Sequence, residues 1–124
     1  MLILVAHGSR DARWRASVER VVASLQAPAV RETVRLAYMD LTPPTLLDVA
    51  REAFRCGERS LRVLPLFLAQ EGHVERDVKP LVDAVRAALD GVEVTLLAPF
   101  GQQKEFREAL ARIADRTDGR RIAP

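Results

Sequence analysis

The strongest constraint on the fold is a regular alternation of apolar runs with helix-forming segments. Four short apolar runs begin near residues 2, 34, 61 and 92, and each is followed by apolar residues that recur at helical spacing. The order βαβαβαβα predicts parallel strands joined by right-handed crossovers, with helices on both faces of one sheet. Because 124 residues suffice for one such core, we predict a single domain over residues 1–124, with a frayed tail over residues 116–124.

The polarity of the four strands predicts their order in the sheet. The first strand, Leu2–Ala6, and the third, Leu61–Leu68, are continuously apolar, which is typical of central strands buried on both faces. The second, Val34–Met39, and the fourth, Val92–Leu96, alternate and so belong at the edges. The predicted order is 2-1-3-4, a three-layer, flavodoxin-like α/β fold with its switch point between strands one and three. Regular pairing of the third strand should end near Pro65, because proline cannot donate to a sheet ladder.

The helices are predicted from their end signals and their apolar stripes. Ser9 or Asp11 can cap the first helix. Pro44 is the natural first residue of the second helix, because Pro43 before it must be extended, and Pro80 opens the third. The stripe of the fourth helix comprises Phe106, Ala109, Leu110 and Ile113. Such stripes can serve a core or a subunit interface equally well.

Charge and composition exclude several functional classes. The net charge of +2 comes without a basic run or a nucleic-acid motif, so no nucleic-acid partner is predicted. No apolar run approaches the roughly 20 residues that span a membrane. The start of the chain lacks the basic region of a signal peptide, so we predict a cytoplasmic location and no membrane partner. Cys56 is the only cysteine, which excludes an internal disulfide and a thiolate metal cluster.

The two histidines of the chain each follow a predicted central strand. His7 comes directly after the first strand, and His73 lies in the loop after the third. Carboxyl ends of parallel strands meet at one edge, where such sheets bind ligands, and Asp40 leaves the neighbouring strand on the same side. Imidazole suits ions such as cobalt, iron, nickel and zinc, and it accepts protons near neutral pH. These three residues form an incomplete shell, open to a substrate, whereas a structural zinc site needs four ligands. The alternative for each histidine is a structural hydrogen bond.

Three motifs, in order at the ends of three strands, make this sequence resemble a known family. They are Val5–Arg10 (VAHGSR), Tyr38–Thr45 (YMDLTPPT) and Pro65–Val78 (PLFLAQEGHVERDV). Over approximately residues 2 to 114 the chain is similar to short-form sirohydrochlorin cobaltochelatases and ferrochelatases, the small CbiX-type class II chelatases. The resemblance implies a class II chelatase half-domain and a lyase that forms nitrogen–metal bonds. Its divalent metal substrate, Co²⁺ first and Fe²⁺ or Ni²⁺ next, would enter sirohydrochlorin in cobalamin or siroheme biosynthesis, with no organic cofactor.

The resemblance also implies roles for individual residues. The two metal-binding histidines of the family match His7 and His73, and Asp40 stands where the family usually has a glutamate, one methylene longer. These three are the predicted catalytic residues and metal ligands. Many relatives have Gly-His-Pro where this chain has Gly101–Gln103, so that loop receives no catalytic role. The residues predicted to bind the substrate are Ser9, Arg10, Gly72, Arg76 and Thr45.

One domain of four strands offers only a shallow wall for so large a macrocycle. Short-form relatives assemble as homodimers, so the resemblance implies a homodimer that completes the cleft.

Two other functions fit parts of the pattern. Histidine phosphatases also place His-Gly after a strand, but they need an arginine directly before the histidine, where this chain has Ala6. A non-enzymatic carrier of metal or tetrapyrrole on the same fold is the second alternative, because Asp40 replaces glutamate and Gly-His-Pro is missing. Turnover distinguishes the two: a carrier binds metal stoichiometrically but does not accelerate its insertion into the macrocycle.

Overall fold

The fold is a parallel sheet of four strands between helices. The computed structural model describes residues 1–25, 32–68 and 74–116. The strands are β1 (Leu2–Ala6), β2 (Val34–Tyr38), β3 (Ser60–Pro65) and β4 (Glu93–Leu96). The helices are α1 (Ala12–Ser24), α2 (Leu46–Arg55), α3 (Lys79–Ala88) and α4 (Lys104–Ala114). The strand order is β2-β1-β3-β4 with parallel pairs throughout, which confirms the predicted flavodoxin-like topology.

The two faces of the sheet are packed unequally. Helices α2 and α3 cover one face, where a large core of aliphatic side chains excludes water, including Ile3, Val5, Val49, Val63 and Val82. On the other face a much smaller cluster of buried residues comprises Leu4, Val22 and Val34. Val22 is the only buried residue of α1, whose thirteen residues are all described. Most of the hydrophobic core therefore lies between the sheet and the α2–α3 layer.

Strand β3 is central, as predicted, but the prediction that it is buried on both faces is wrong. Leu61 and Val63 are buried, whereas Ser60 and Arg62 are exposed and Leu64 is half-buried. The alternation arises because α4 does not cover this side of the sheet. All eleven residues of α4 are described, and none of them is buried. A prediction from apolar composition alone therefore overestimated the burial of β3.

Helix α2 begins at Leu46, two residues after the predicted start at Pro44. The carbonyl of Pro44 accepts a hydrogen bond from the Tyr38 backbone N–H at 2.8 Å, so the chain is still extended beside β2 at that point. Thr45 is the N-cap. Its hydroxyl oxygen accepts from the Asp48 N–H at 3.1 Å, and the Asp48 carboxylate accepts from the Thr45 N–H at 3.0 Å. The second of these bonds holds the pKa of Asp48 below its ordinary value.

Helix α1 is tied to the ends of β1 and β2. Asp11, rather than Ser9, is its N-cap and accepts a hydrogen bond from the Arg13 N–H at 2.9 Å. Near the middle of α1, Glu19 accepts from the hydroxyl of buried Tyr38 at 3.2 Å. Burial and the neighbouring Glu19 carboxylate raise the pKa of Tyr38. These contacts leave only a short loop between β1 and α1, at the carboxyl edge of the sheet.

The remaining helix boundaries lie at proline and glycine residues, which favour helix ends. Pro80 lies in the first turn of α3, after a π-helical turn over Val74–Val78. Gly57 and Gly91 follow α2 and α3 with φ of +94° and +78°, a region that favours glycine. Within the described ranges, no helix has the length and apolar character to span a membrane. Of the predicted tail only Arg116 is described, so residues 117–124 lie outside the described structure.

Candidate active site

His7 stands at the carboxyl edge of β1 with its imidazole open to solvent. Its side chain is 46% exposed, and Nδ1 lies 3.9 Å from Oδ2 of Asp40. That distance is too long for a direct hydrogen bond but places a carboxylate beside the ring. The ring also packs on Phe67, with centroids 4.9 Å apart and planes inclined by 34°. Phe67 and Asp40 therefore hold the imidazole in place while almost half of it remains accessible.

Gly8 brings the loop after β1 against the loop after β2. Its backbone N–H donates to Oδ1 of Asp40 at 2.9 Å. A Cβ atom at this position would lie 1.8 Å from the backbone carbonyl oxygen of Asp40 and 3.2 Å from Cγ2 of Thr42. Only glycine permits so close an approach of two backbones. Gly8 therefore sets the separation of His7 and Asp40.

Large apolar side chains are exposed at the same edge of the sheet. Leu41 follows β2 and is 63% exposed, and Leu68 follows β3 and is 70% exposed. Leu41 has φ of +66°, a left-handed conformation that costs a residue with a Cβ about 1–2 kcal/mol. The edge thus carries an imidazole and a carboxylate together with two exposed leucines.

The structure brings together two of the three predicted metal ligands, His7 and Asp40. His73 and Gly72 lie outside the described residues, so the pairing of the two imidazoles stays a prediction. Within residues 1–25, 32–68 and 74–116, there is no group of three or more side chains able to hold a metal ion. A metal bound by His7 and Asp40 would therefore need further ligands from outside the described residues or from its substrate.

Three of the predicted substrate-binding residues lie in the two loops that carry this pair. Arg10 is exposed in the His7 loop. The hydroxyl oxygen of Ser9 accepts from the Asp11 N–H at 3.0 Å, and that of Thr45 caps α2. Both hydroxyls thus act as acceptors, which leaves each O–H able to donate to a carboxylate.

Arg76, the fourth described member of the predicted set, lies in the π-helical turn before α3. Its Nε is 3.7 Å from Oδ1 of Asp77, and its side chain is 69% exposed. An ion pair this exposed is weak, so the guanidinium can exchange Asp77 for a ligand carboxylate at little cost.

The support given by Phe67 was not predicted from the sequence. It lies two residues after Pro65, in a stretch that reads only as extended apolar chain. The sequence signal that could have identified Phe67 is its position within the third motif, Pro65–Val78. The close approach of Gly8 to the Asp40 backbone was likewise not predicted.

A sequence model of the CbiX family matches residues 1–117. The sirohydrochlorin cobaltochelatase of Methanopyrus kandleri is 32% identical over 81 residues, which cover 65% of this chain and 57% of that protein. The chloroplastic sirohydrochlorin ferrochelatase of Arabidopsis thaliana is 26% identical over 100 residues, covering 81% of this chain and 44% of the plant protein. The chain thus spans about half the length of these curated relatives.

A solved structure matches over nearly the full length of both chains. It is a CbiX protein from Marinobacter aquaeolei VT8, named for cobalamin (vitamin B12) biosynthesis. The TM-score is 0.78 at 32% identity, with 91% of this chain and 92% of that chain covered. The similarity therefore extends over most of the chain.

Proposed function

This chain belongs to the CbiX family, and from that membership we propose that it inserts a divalent metal ion into sirohydrochlorin. The reaction requires a held metal ion and the removal of two pyrrole N–H protons. The observation that carries the proposal is the exposed imidazole of His7, fixed by Phe67 and Asp40 at the ligand-binding edge of the sheet. A neutral imidazole there can bind the metal or accept a proton, and one nitrogen cannot do both at once.

We propose that His7 and His73 hold the metal and that Asp40 is either a third ligand or a relay for the pyrrole protons. Cobalt is the proposed metal and iron the next candidate, since relatives of both kinds match the chain. The ligand types do not distinguish cobalt from iron, because imidazole and carboxylate bind several divalent ions of the first transition row. The cytoplasmic location remains a prediction from the sequence.

The macrocycle would be held by its periphery and by its flat face. Sirohydrochlorin carries eight carboxylates, and Arg10 and Arg76 are the proposed partners for charge-assisted hydrogen bonds, with Ser9 and Thr45 as neutral donors. Leu41 and Leu68, both mostly exposed, would contact the ring face. A single sheet edge contacts one face only, so we propose that a homodimer supplies the opposite wall.

The test of this function is the anaerobic absorbance of sirohydrochlorin mixed with Co²⁺, Fe²⁺ or Ni²⁺, with and without the protein. Substoichiometric protein should accelerate formation of the metallated ring with at least one ion and should turn over many times. A protein that only binds metal or tetrapyrrole stoichiometrically, with no acceleration, would be a carrier, and the chelatase proposal would be wrong.

Asp40 offers a test that separates charge from packing. Asp40→Asn keeps an oxygen for the Gly8 N–H and removes the charge, whereas Asp40→Ala removes both. We expect Asp40→Asn to slow insertion by about tenfold, at the low end of what acid–base groups contribute, with little change in thermal stability. Asp40→Ala should slow it similarly and also lower the free energy of unfolding by about 1 kcal/mol, the value of one hydrogen bond. A wild-type rate for Asp40→Asn would restrict Asp40 to a positioning role.

A further inference from the structure

The turn after β2 holds Leu41 in a strained backbone conformation. The Thr42 N–H donates to the Asp40 carbonyl at 2.7 Å, and Leu41 between them has φ of +66°. A hydrogen bond between residues two apart, closed around a residue with positive φ, is a γ-turn of the rare and strained kind rather than the common inverse kind. Among the described residues other than glycine, only Leu41 has a positive φ. Glycine would adopt this conformation without the strain that a Cβ adds.

The hydrophobic core does not account for a leucine at this position. The side chain of Leu41 is 63% exposed, so its burial contributes little to folding, while its Cβ makes the turn less stable. Strained residues persist where the surrounding structure enforces them, and they cluster at sites that bind ligands. Exposure and strain together indicate that the Leu41 side chain makes its contact with a molecule outside the folded chain.

The turn is clamped from two sides, which restrains it from relaxing. On one side, a Cβ at Gly8 would lie 1.8 Å from the Asp40 carbonyl oxygen, the same oxygen that closes the γ-turn. On the other side, the Tyr38 N–H donates to the Pro44 carbonyl at 2.8 Å and closes the base of the loop. The side chain of Leu41 is thus held in place one residue from the carboxylate of Asp40.

We propose that Leu41 is a substrate-positioning residue, whose restrained side chain sets the placement of the macrocycle over His7 and Asp40. This role rests on the proposed function, and it gives the strain of the turn a consequence for the rate. The metal and the ring nitrogens must meet within a narrow range of distances, because a displacement of about 1 Å can cost a reaction about 100-fold. A leucine on a relaxed turn would shift with the bound ring, whereas one on a clamped turn keeps the ring in position.

The test compares three substitutions of Leu41 in the anaerobic insertion assay, at saturating sirohydrochlorin and with the ion that the wild type inserts fastest. Leu41→Ala removes the side chain and keeps the Cβ, Leu41→Gly removes both, and Leu41→Met keeps the volume. The alanine and glycine variants should each be at least about tenfold slower, and the methionine variant should stay near the wild-type rate. The dissociation constant of metal-free sirohydrochlorin, measured by absorbance titration, should also rise because an apolar contact is lost. The loss at saturation is the part that a simple binding contact would not cause.

Thermal melts test the strain separately from the activity. Leu41→Gly should melt about 3 °C above Leu41→Ala, because only alanine keeps a Cβ in the left-handed backbone. The matched control is Val21→Ala. Val21 is also 63% exposed, but it lies on α1 and lines a groove with Leu2 at the start of β1. This variant should keep the wild-type rate.

The outcomes separate this role from the proposed function. A wild-type rate at saturation in Leu41→Ala would overturn the positioning role and leave the chelatase function standing. The same would follow if Val21→Ala lost as much rate as Leu41→Ala. A wild-type protein without turnover would overturn the function, and the positioning role with it. A Leu41→Gly protein that melts no higher than Leu41→Ala would show that the turn is relaxed, which would overturn the link between strain and rate.

Discussion

His7→Ala should abolish protein-dependent metal insertion into sirohydrochlorin, with a loss of at least about 100-fold, the lower range for a group that moves protons or binds the reacting ion. The reason is that the described part of this edge offers no second imidazole: His7 is the histidine that Phe67 and Asp40 hold there. The fold should survive, because the side chain is almost half exposed and its removal opens no cavity in the core. Steady-state rates and thermal melts of the same preparation measure both effects.

The matched control for His7→Ala is Gln102→Ala, at the carboxyl edge of the same sheet in the loop that receives no catalytic role. It should retain the wild-type rate. If His7→Ala also retains that rate, the imidazole is structural and the site lies elsewhere. If Gln102→Ala loses the rate as fully as His7→Ala, then the loop that carries Gln102 also takes part in the reaction.

Gly8→Ala should have the second large effect, on both stability and rate. The added Cβ would lie 1.8 Å from the Asp40 carbonyl oxygen, a backbone atom that can move only with its loop. Separating the loops strains the backbone by about 1–3 kcal/mol, as other overpacked sites do, and breaks the bond from Gly8 N–H to Asp40. It also displaces His7 from Asp40, and a displacement of about 1 Å can cost a reaction about 100-fold.

Gly57→Ala is the control for backbone strain without damage to the site. Gly57 has φ of +94°, and no described atom lies within 4 Å of the position of a Cβ. This variant should lose about 1–2 kcal/mol of unfolding free energy, the cost of a left-handed residue, while its insertion rate at low temperature stays at the wild-type level. Equal losses of rate in the two glycine variants would mean that stability, rather than the geometry of the edge, limits activity.

The sequence predicted the topology because strand polarity and strand order have a common physical cause. Central strands of a covered parallel sheet must be apolar, and β1 is buried along nearly its whole length, as expected. The same reasoning failed on one face of β3. A pattern of apolar residues shows that a surface must be buried, but it does not show which partner buries it. The apolar stripe of α4 and the open side of β3 are two such surfaces, and the sequence pattern does not identify what buries either of them.

For the candidate site, the sequence predicted which types of residue stand at the ends of the strands. The proximity of His7 and Asp40 followed from their positions after adjacent parallel strands. Their support by Phe67 and the contact through Gly8 depend on loop geometry that no periodic pattern encodes. The left-handed conformation of Leu41 has the same origin, since nothing in the residue type favours it.

The central claim is that His7 and His73 bind one metal ion together. Its most direct test is the dissociation constant of Co²⁺, measured by anaerobic calorimetry for the wild type, His7→Ala, His73→Ala and the double variant. If the two imidazoles share one ion, each single substitution should weaken binding by at least about tenfold, and the second should add much less than the first, because coupled sites are not additive. Wild-type affinity in either single variant would contradict a shared ion.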